Sequence, residues 1–273
     1  PDIGGIQSLM GGLSKALTDH GPVKVFADEY PNCNDYDKNS NLEIQRIGGF
    51  KIFRKFRKAY AVNEYLRSNK IRSIFFDHWK SLEHVNLDYL SSNSNFCLIH
   101  SKEINHPIGS SLNVRMNKAF KKAHYIIANS KYTKELAISM GLEKEKIHII
   151  HPGTNYPIKI NNEHEAKAKD IFRSAFPKII TIARLDKRKN HQNILMTVKN
   201  LIPIYPDIKY ICVGDGDEKK NLEDLRKQLG IEKYVTFLPK TAENLKAALL
   251  AESNLFLMPS VIYKKSVEGF GIS

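Results

Sequence analysis

Cysteine, acidic charge and long apolar runs are all scarce in this chain of 273 residues. Cysteine occurs three times, at Cys33, Cys97 and Cys212. An odd number at wide spacing argues against both a disulfide framework and a zinc cluster. Cys97 (in FCLIH) and Cys212 (in YICVG) sit in apolar strand-like runs and read as buried, reduced thiols of a cytosolic protein. No apolar stretch approaches the ~20 residues of a membrane-spanning helix, and no signal-peptide pattern opens the chain. Aspartate and glutamate total 29 against 42 lysines and arginines, a formal net charge of +13. That excess suits nucleic acid, an anionic membrane face or small phosphorylated ligands, and equally a merely solvated lysine-rich surface.

The length exceeds a single typical core and favours two α/β domains. Strand and helix patterns alternate. Ile6, Leu9, Met10, Leu13 and Leu17 recur at helical spacing, as do Ile52, Phe53, Phe56, Ala59, Tyr60 and Leu66. Strand-like runs fall at Val23–Ala27, Ile74–Phe76, Phe96–Ile99, Tyr125–Ala128 and Ile147–Ile150, with residues 28–49 a long loop that holds a strand near Ile44. Helices are expected at Leu112–Ala123 and after Ser130, an N-cap, with Gly141 as the stop. His151-Pro152-Gly153-Thr154 breaks this rhythm, and a polar, lysine-rich segment follows to about Phe176. The boundary falls there, giving domains 1–155 and 156–273. The rhythm then resumes with strands at Ile179–Ala183, Tyr210–Val213, Val235–Leu238 and Leu255–Met258, and helices at 190–202, 217–229 and 243–251. Such alternation implies parallel sheets with right-handed crossovers, in which ligands sit beyond the carboxyl ends of the strands.

That rule singles out a few residues. Arg184 leaves a strand and Lys189 precedes a helix start, where free N–H groups and a partial positive charge attract anions. Two cations there suit a diphosphate, and a basic surface loop with Lys187 and Arg188 solvated fits as well. Glu268-Gly269-Phe270-Gly271 follows the last strand, so a carboxylate that can accept from sugar hydroxyls lies beside glycines that admit close backbone approach. Gly4 and Gly5 precede the first helix, in a loop that could cradle a phosphate, or simply form a turn. His100 ends the strand FCLIH and can donate to a phosphate oxygen or a sugar hydroxyl, although a lone histidine is more often structural; Asp77 and His78 end a neighbouring strand.

In order and spacing, GGIQSLMGGLSKAL, IIANSKYTKELAISMGL, IHIIHPGTN, ARLDKRKNHQNIL, ICVGDGDEKKNLEDL, VTFLP, LFLMPS and EGFG span essentially the whole chain. Together they resemble the retaining GT-B glycosyltransferases of the family-four type, also called group 1. The resemblance implies an α/β fold of two Rossmann-like domains with parallel sheets facing a central cleft. Both ends are expected to be cut: Pro1 opens on a Gly-Gly turn with no strand before it, and Ser273 stops in mid-motif, so the second domain is expected to be incomplete. It further implies donor binding by Arg184 and Lys189 on the diphosphate, with Gly4, Gly5, Gly269, Phe270 and Gly271 around the donor, and catalytic roles for His100 and Glu268. The family's second glutamate, a ribose contact, would lie eight positions after Glu268, beyond Ser273, so the chain alone is not expected to be fully active. Ser101 stands where an acidic residue often follows the histidine, with Glu103 nearby, and Pro239 stands where a glycine is usual.

The chemistry implied is transfer of a hexose-type sugar from a nucleotide diphosphate sugar to a glycan or lipid-linked acceptor. It proceeds with retention, without cofactor or metal, by same-face attack helped by the leaving phosphate. The triplets Asp35-Tyr36-Asp37 and Asp215-Gly216-Asp217 are not read as metal sites. Cell-envelope synthesis in the cytoplasm, with peripheral contact on an anionic inner membrane face, is the expected setting. For Lys51–Lys58, the apolar face is expected to pack on its own sheet and the cations to attract the membrane. A GT-B nucleotide-sugar epimerase, a basic nucleic-acid-binding protein and an inactive scaffold stay open, though no nucleic-acid signature is present.

Overall fold

The computed structural model describes residues 5–31, 33–90, 94–153, 158–264 and 267–271. The chain divides into two compact units. One runs to residue 154 and takes in Gly269, Phe270 and Gly271; the other runs from residue 155 to Glu268. The sequence reading placed Gly269–Gly271 with the second domain. Gly269 instead lies so close to the first unit that an added Cβ would stand 2.5 Å from the His100 carbonyl oxygen, an approach only glycine allows.

In the first unit, α1 (Gly5–Leu17) leads to β1 (Lys24–Asp28), α2 (Cys33–Lys38), β2 (Glu43–Ile47), α3 (Lys51–Ser68), β3 (Ile74–Phe76) and α4 (Trp79–Leu82). The chain continues through β4 (Asn95–Ile99), α5 (Ser111–Lys121), β5 (Tyr125–Ala128), α6 (Lys131–Ser139) and β6 (Ile147–Ile149). β1 pairs with β2, and β3-β4-β5-β6 form a four-stranded sheet; every pairing is parallel. Trp79, Leu82, Cys97, Ile99, Met116 and Ile126 form the heart of the core. The Ser110 and Ser130 hydroxyls cap α5 and α6 by accepting from the N–H three residues on, as their sequence positions require.

The second unit contains α7 (Asn162–Phe172), β7 (Lys178–Ile182), α8 (His191–Leu201), β8 (Lys209–Val213), α9 (Lys219–Gln228), β9 (Val235–Leu238), α10 (Glu243–Glu252) and β10 (Leu255–Phe256). Its parallel sheet has the order β10-β7-β8-β9. Alternate strand residues serve opposite faces. Ile179, Tyr210 and Cys212 pack with Leu195 and Val198 of α8. Ile180, Ile211 and Val213 pack with Phe172 of α7 and Leu249 of α10. This two-sided burial explains why β7 and β8 read as nearly continuous apolar runs. Because β8 and β10 flank β7 on opposite sides, the order of the sheet switches there, and the carboxyl ends of β7 and β10 become the natural ligand position.

Three helices were not expected from sequence. α2 lies within the loop expected over 28–49, where β2 forms at the strand expected near Ile44, and α4 follows β3 directly. α7 fills the polar segment before Phe176: Asn161 accepts from the His164 N–H, Glu163 and Glu165 sit in the first turn, and only Ala168 and Phe172 are buried.

Candidate functional site

In the second unit, the C-terminal end of β7 is held in place from below. Gly214 and Gly216 approach so closely that an added Cβ would lie 1.9 Å from the Ala183 carbonyl oxygen and 2.4 Å from that of Leu185. Leu185 N–H donates to Asp215 O (3.0 Å), and Glu218 N–H donates to Leu185 O (3.0 Å). The Gly-Asp-Gly turn therefore fixes the loop bearing Arg184. His191 fixes it from the other side. Its ring is buried, and Nε2 donates to the Arg184 carbonyl at 3.1 Å. That leaves Nδ1 as the acceptor facing the Cys212 thiol at 3.5 Å. Burial lowers the pKa of His191, which agrees with a neutral ring.

Arg184 itself is exposed, and its guanidinium has no hydrogen-bond or ion-pair partner among the described residues. Lys189 is different. Its side chain is 9% exposed, and its ammonium lies 3.4 Å from Met258 Sδ and pairs with Glu268 Oε2. Arg188 also pairs with Glu268 Oε2, Ser260 Oγ lies 3.4 Å from the same oxygen, and the Arg188 carbonyl accepts from Val261 N–H at 2.8 Å. Arg188 is thus not the solvated residue that a basic surface loop would make it. The basic turn is shaped by Asp186, which accepts from Lys189 N–H at 3.1 Å, and by Asn190 at φ 57°. Burial pushes the Glu268 carboxyl up, but hydrogen bonds and charge from Lys189 and Arg188 outweigh that, and its pKa lies below the ordinary value. At the switch of strand order, the Arg184 guanidinium has no partner among the described residues, while Lys189 and Arg188 are held on one carboxylate.

The first unit presents a different edge. His100 follows β4, and its Nε2 is buried without a partner among the described residues; so are His106 Nε2 and Asn129 Oδ1. Buried polar atoms in native folds are nearly always satisfied, so each of these marks a position where a ligand or water belongs. The Glu103 carboxylate accepts from the His100 backbone N–H, and the Glu103 carbonyl accepts from Trp79 Nε1–H at 2.9 Å. Glu103 therefore orders the turn after His100. Ser101 sits at φ 103° and is buried, a strained backbone of the kind that collects at functional sites. His78 caps α4 by accepting at Nδ1 from Lys80 N–H (2.9 Å), and burial lowers its pKa. Beyond β6, His151 stacks on Phe270 with ring centroids 5.3 Å apart. Gly5 opens α1 at the surface, and Gly4 lies outside the described residues.

His191, Arg188, His106 and Asn129 were not singled out from sequence. His191 was findable: with Ile194, Leu195 and Val198 it forms the i, i+3, i+4, i+7 pattern of the buried face of α8.

Residues 3–156 match the profile of Glycosyltransferase Family 4, and residues 162–273 match that of glycosyl transferases group 1. The chain belongs to glycosyltransferase family 4. An uncharacterized glycosyltransferase of Methanocaldococcus jannaschii is 22% identical over 95% of this chain and 72% of its own length. A second from that organism is 30% identical over 37% of this chain and 24% of its own length, and one from Haemophilus influenzae is 32% identical over 39% and 30%. The chain thus spans between about a quarter and three quarters of these relatives. Among solved structures, Anabaena HepE in complex with UDP is similar with a TM-score of 0.74 at 18% identity, covering 94% of this chain and 71% of that one. The lipopolysaccharide outer core galactosyltransferase WaaB is similar with a TM-score of 0.66 at 13% identity, covering 98% and 72%. The fold of this family member is GT-B, with two Rossmann-like domains.

Proposed function

We propose that this chain carries the machinery of a retaining glycosyltransferase that moves a hexose-type sugar from a nucleotide diphosphate sugar to a glycan or lipid-linked acceptor. One observation carries the reading: Arg188 and Lys189 meet on Glu268 at the switch of strand order in the second unit, in the loop that Arg184 begins. Loss of a nucleoside diphosphate builds negative charge on the leaving oxygen. Preorganised cations stabilise that charge best, because they need no reorganisation at the moment of reaction. Arg184 is free to meet the diphosphate and Lys189 is the second contact, so a metal ion is not required for that step. Glu268 accepts from donor-sugar hydroxyls once the diphosphate competes for its cations. HepE, a similar structure, is known in complexes with UDP and with UDP-glucose, which supports a nucleotide sugar as the donor class. The unpaired ring nitrogens of His100 and His106 and the Asn129 amide oxygen suit a polyhydroxylated ligand, since a sugar hydroxyl can both donate and accept. His100 is assigned to the transferred sugar. We place the reaction in cell-envelope glycan or glycolipid synthesis, on the cytoplasmic side where nucleotide sugars are made.

Calorimetry with UDP-, GDP- and ADP-sugars, on this chain and on its Arg184→Ala/Lys189→Ala variant, tests the reading. One donor is expected to bind, and its binding to be lost in the variant. Absence of binding across the panel, or binding unchanged in the variant, overturns it.

A further inference from the structure

The apolar face of α3 does not all pack on its own sheet, as the sequence suggested. Ala59, Val62 and Leu66 are buried, but Phe50 is 83% exposed, Ile52 78%, Phe53 58%, Phe56 47% and Tyr60 67%. At about 100° per residue, Ile52, Phe53, Phe56 and Tyr60 fall within a sector about 100° wide, beside the buried one. One helix thus has two neighbouring apolar stripes, and only one of them faces the core.

The uncovered stripe is held in place. Arg57 donates to the carbonyls of Gly48 and Phe50, the latter at 3.2 Å, which fixes Phe50 against the start of the helix. The Lys55 ammonium lies 4.7 Å from the centre of the Phe56 ring. Lys51, Arg54, Lys55, Arg57 and Lys58 supply positive charge along the same helix. The carboxylates that face them are few: Asp28 takes Lys58 at 2.6 Å and Arg54 at 3.7 Å. Glu83 lies 3.8 Å from Lys55 but is shared with Arg115 at 2.7 Å. Positive charge therefore remains in excess around an ordered aromatic stripe.

We propose that this stripe, Phe50 with Ile52, Phe53, Phe56 and Tyr60, docks on an anionic membrane surface. Aromatic and branched apolar side chains enter the boundary between headgroups and acyl chains, while lysine and arginine lay their stems on apolar surface and keep their charges among phosphates. A patch that is both apolar and cationic matches the chemistry of such a surface at both levels, whereas a protein partner would have to supply hydrophobic and acidic groups in the same alternation. Docking here needs no nucleotide sugar, so the proposal stands apart from the donor reading.

Flotation with vesicles of phosphatidylcholine alone, and with about one third phosphatidylglycerol, tests it. The parent protein is expected to float with the anionic vesicles and to bind neutral ones at least about tenfold more weakly. Phe50→Ser/Ile52→Ser/Phe53→Ser is expected to lose flotation at an unchanged melting temperature, because all three side chains are exposed. Lys51→Glu/Arg57→Glu is expected to lose the preference for anionic lipid. Flotation of the triple variant equal to the parent, or no dependence on anionic lipid, overturns the proposal. Self-association of the parent in sedimentation, abolished by the triple variant and unaffected by vesicles, would assign the stripe to a second copy of the chain and overturn it too.

Discussion

The carboxyl edges of the two four-stranded sheets differ in how their polar groups are satisfied. In the second unit, Glu268 holds Lys189 and Arg188, while the Arg184 guanidinium has no hydrogen-bond or ion-pair partner among the described residues. In the first unit, His100 Nε2, His106 Nε2 and Asn129 Oδ1 are buried and unpaired. A saturated ion cluster can exchange one anion for another, so a diphosphate can replace the carboxylate without leaving a cation bare. Unsatisfied buried polar atoms gain by acquiring hydrogen bonds, for which a hydroxyl-rich molecule is fitted. On the proposed function, parallel sheets of one general design would thus serve charge at one edge and hydroxyls at the other.

The sharpest way to break this comparison is to remove the cations. In Arg184→Ala/Lys189→Ala, loss of two charge-assisted bonds at ~1.5–3 kcal/mol each should weaken nucleoside diphosphate binding by roughly 10²- to 10⁴-fold, read by calorimetry. Unchanged affinity would show that the second unit's edge is not a charge site. Next in size is Gly214→Ala. Its Cβ would meet the Ala183 carbonyl at 1.9 Å, so backbone must move. Overpacking of this kind costs about 1–3 kcal/mol, and both thermal stability and nucleotide affinity should fall. A third change addresses the other edge. His100→Ala should leave nucleoside diphosphate affinity within about twofold while transfer slows by roughly 10²-fold, the scale of a lost positioned donor. Equal loss of both in a binding and turnover comparison would mean that His100 belongs to the diphosphate, and the contrast between the two edges would fail.

The fold was largely legible because burial leaves a period. β5 and β9 lie where Tyr125–Ala128 and Val235–Leu238 predicted them. α7 was hidden because its buried side rests on little more than Ala168 and Phe172 among lysines and glutamates. The two stripes of α3 merged in sequence into one apolar face, since periodicity cannot say how much of a broad face the core will cover. Arg184 and Lys189 could be found from their places beside a strand end and a helix start. The Arg188–Glu268 pair could not, because it joins residues 80 apart and exists only because β10 lies against β7. Asn129 and His106 were equally silent, as an unpaired buried atom becomes visible only when its surroundings are known.

The smallest effect concerns Glu268 alone. Burial pushes its carboxyl up, Lys189 and Arg188 bring it down further, and the balance lies below the ordinary value. A carboxylate with a depressed pKa in the fold stabilises it above the unfolded value, about 4.3 for glutamate, and that contribution fades as pH falls through the folded value. Urea unfolding from pH 3 to 6 should therefore show the parent losing stability relative to Glu268→Gln as the medium becomes more acidic, with the difference constant above about pH 6. In the same variant the neutral amide competes less well for Lys189 and Arg188, so nucleoside diphosphate should bind at least as tightly as in the parent even as sugar transfer is lost. If the variant binds the diphosphate more weakly, Glu268 is not the internal anion that a donor displaces, and the second edge is a fixed ion cluster and not an exchangeable one.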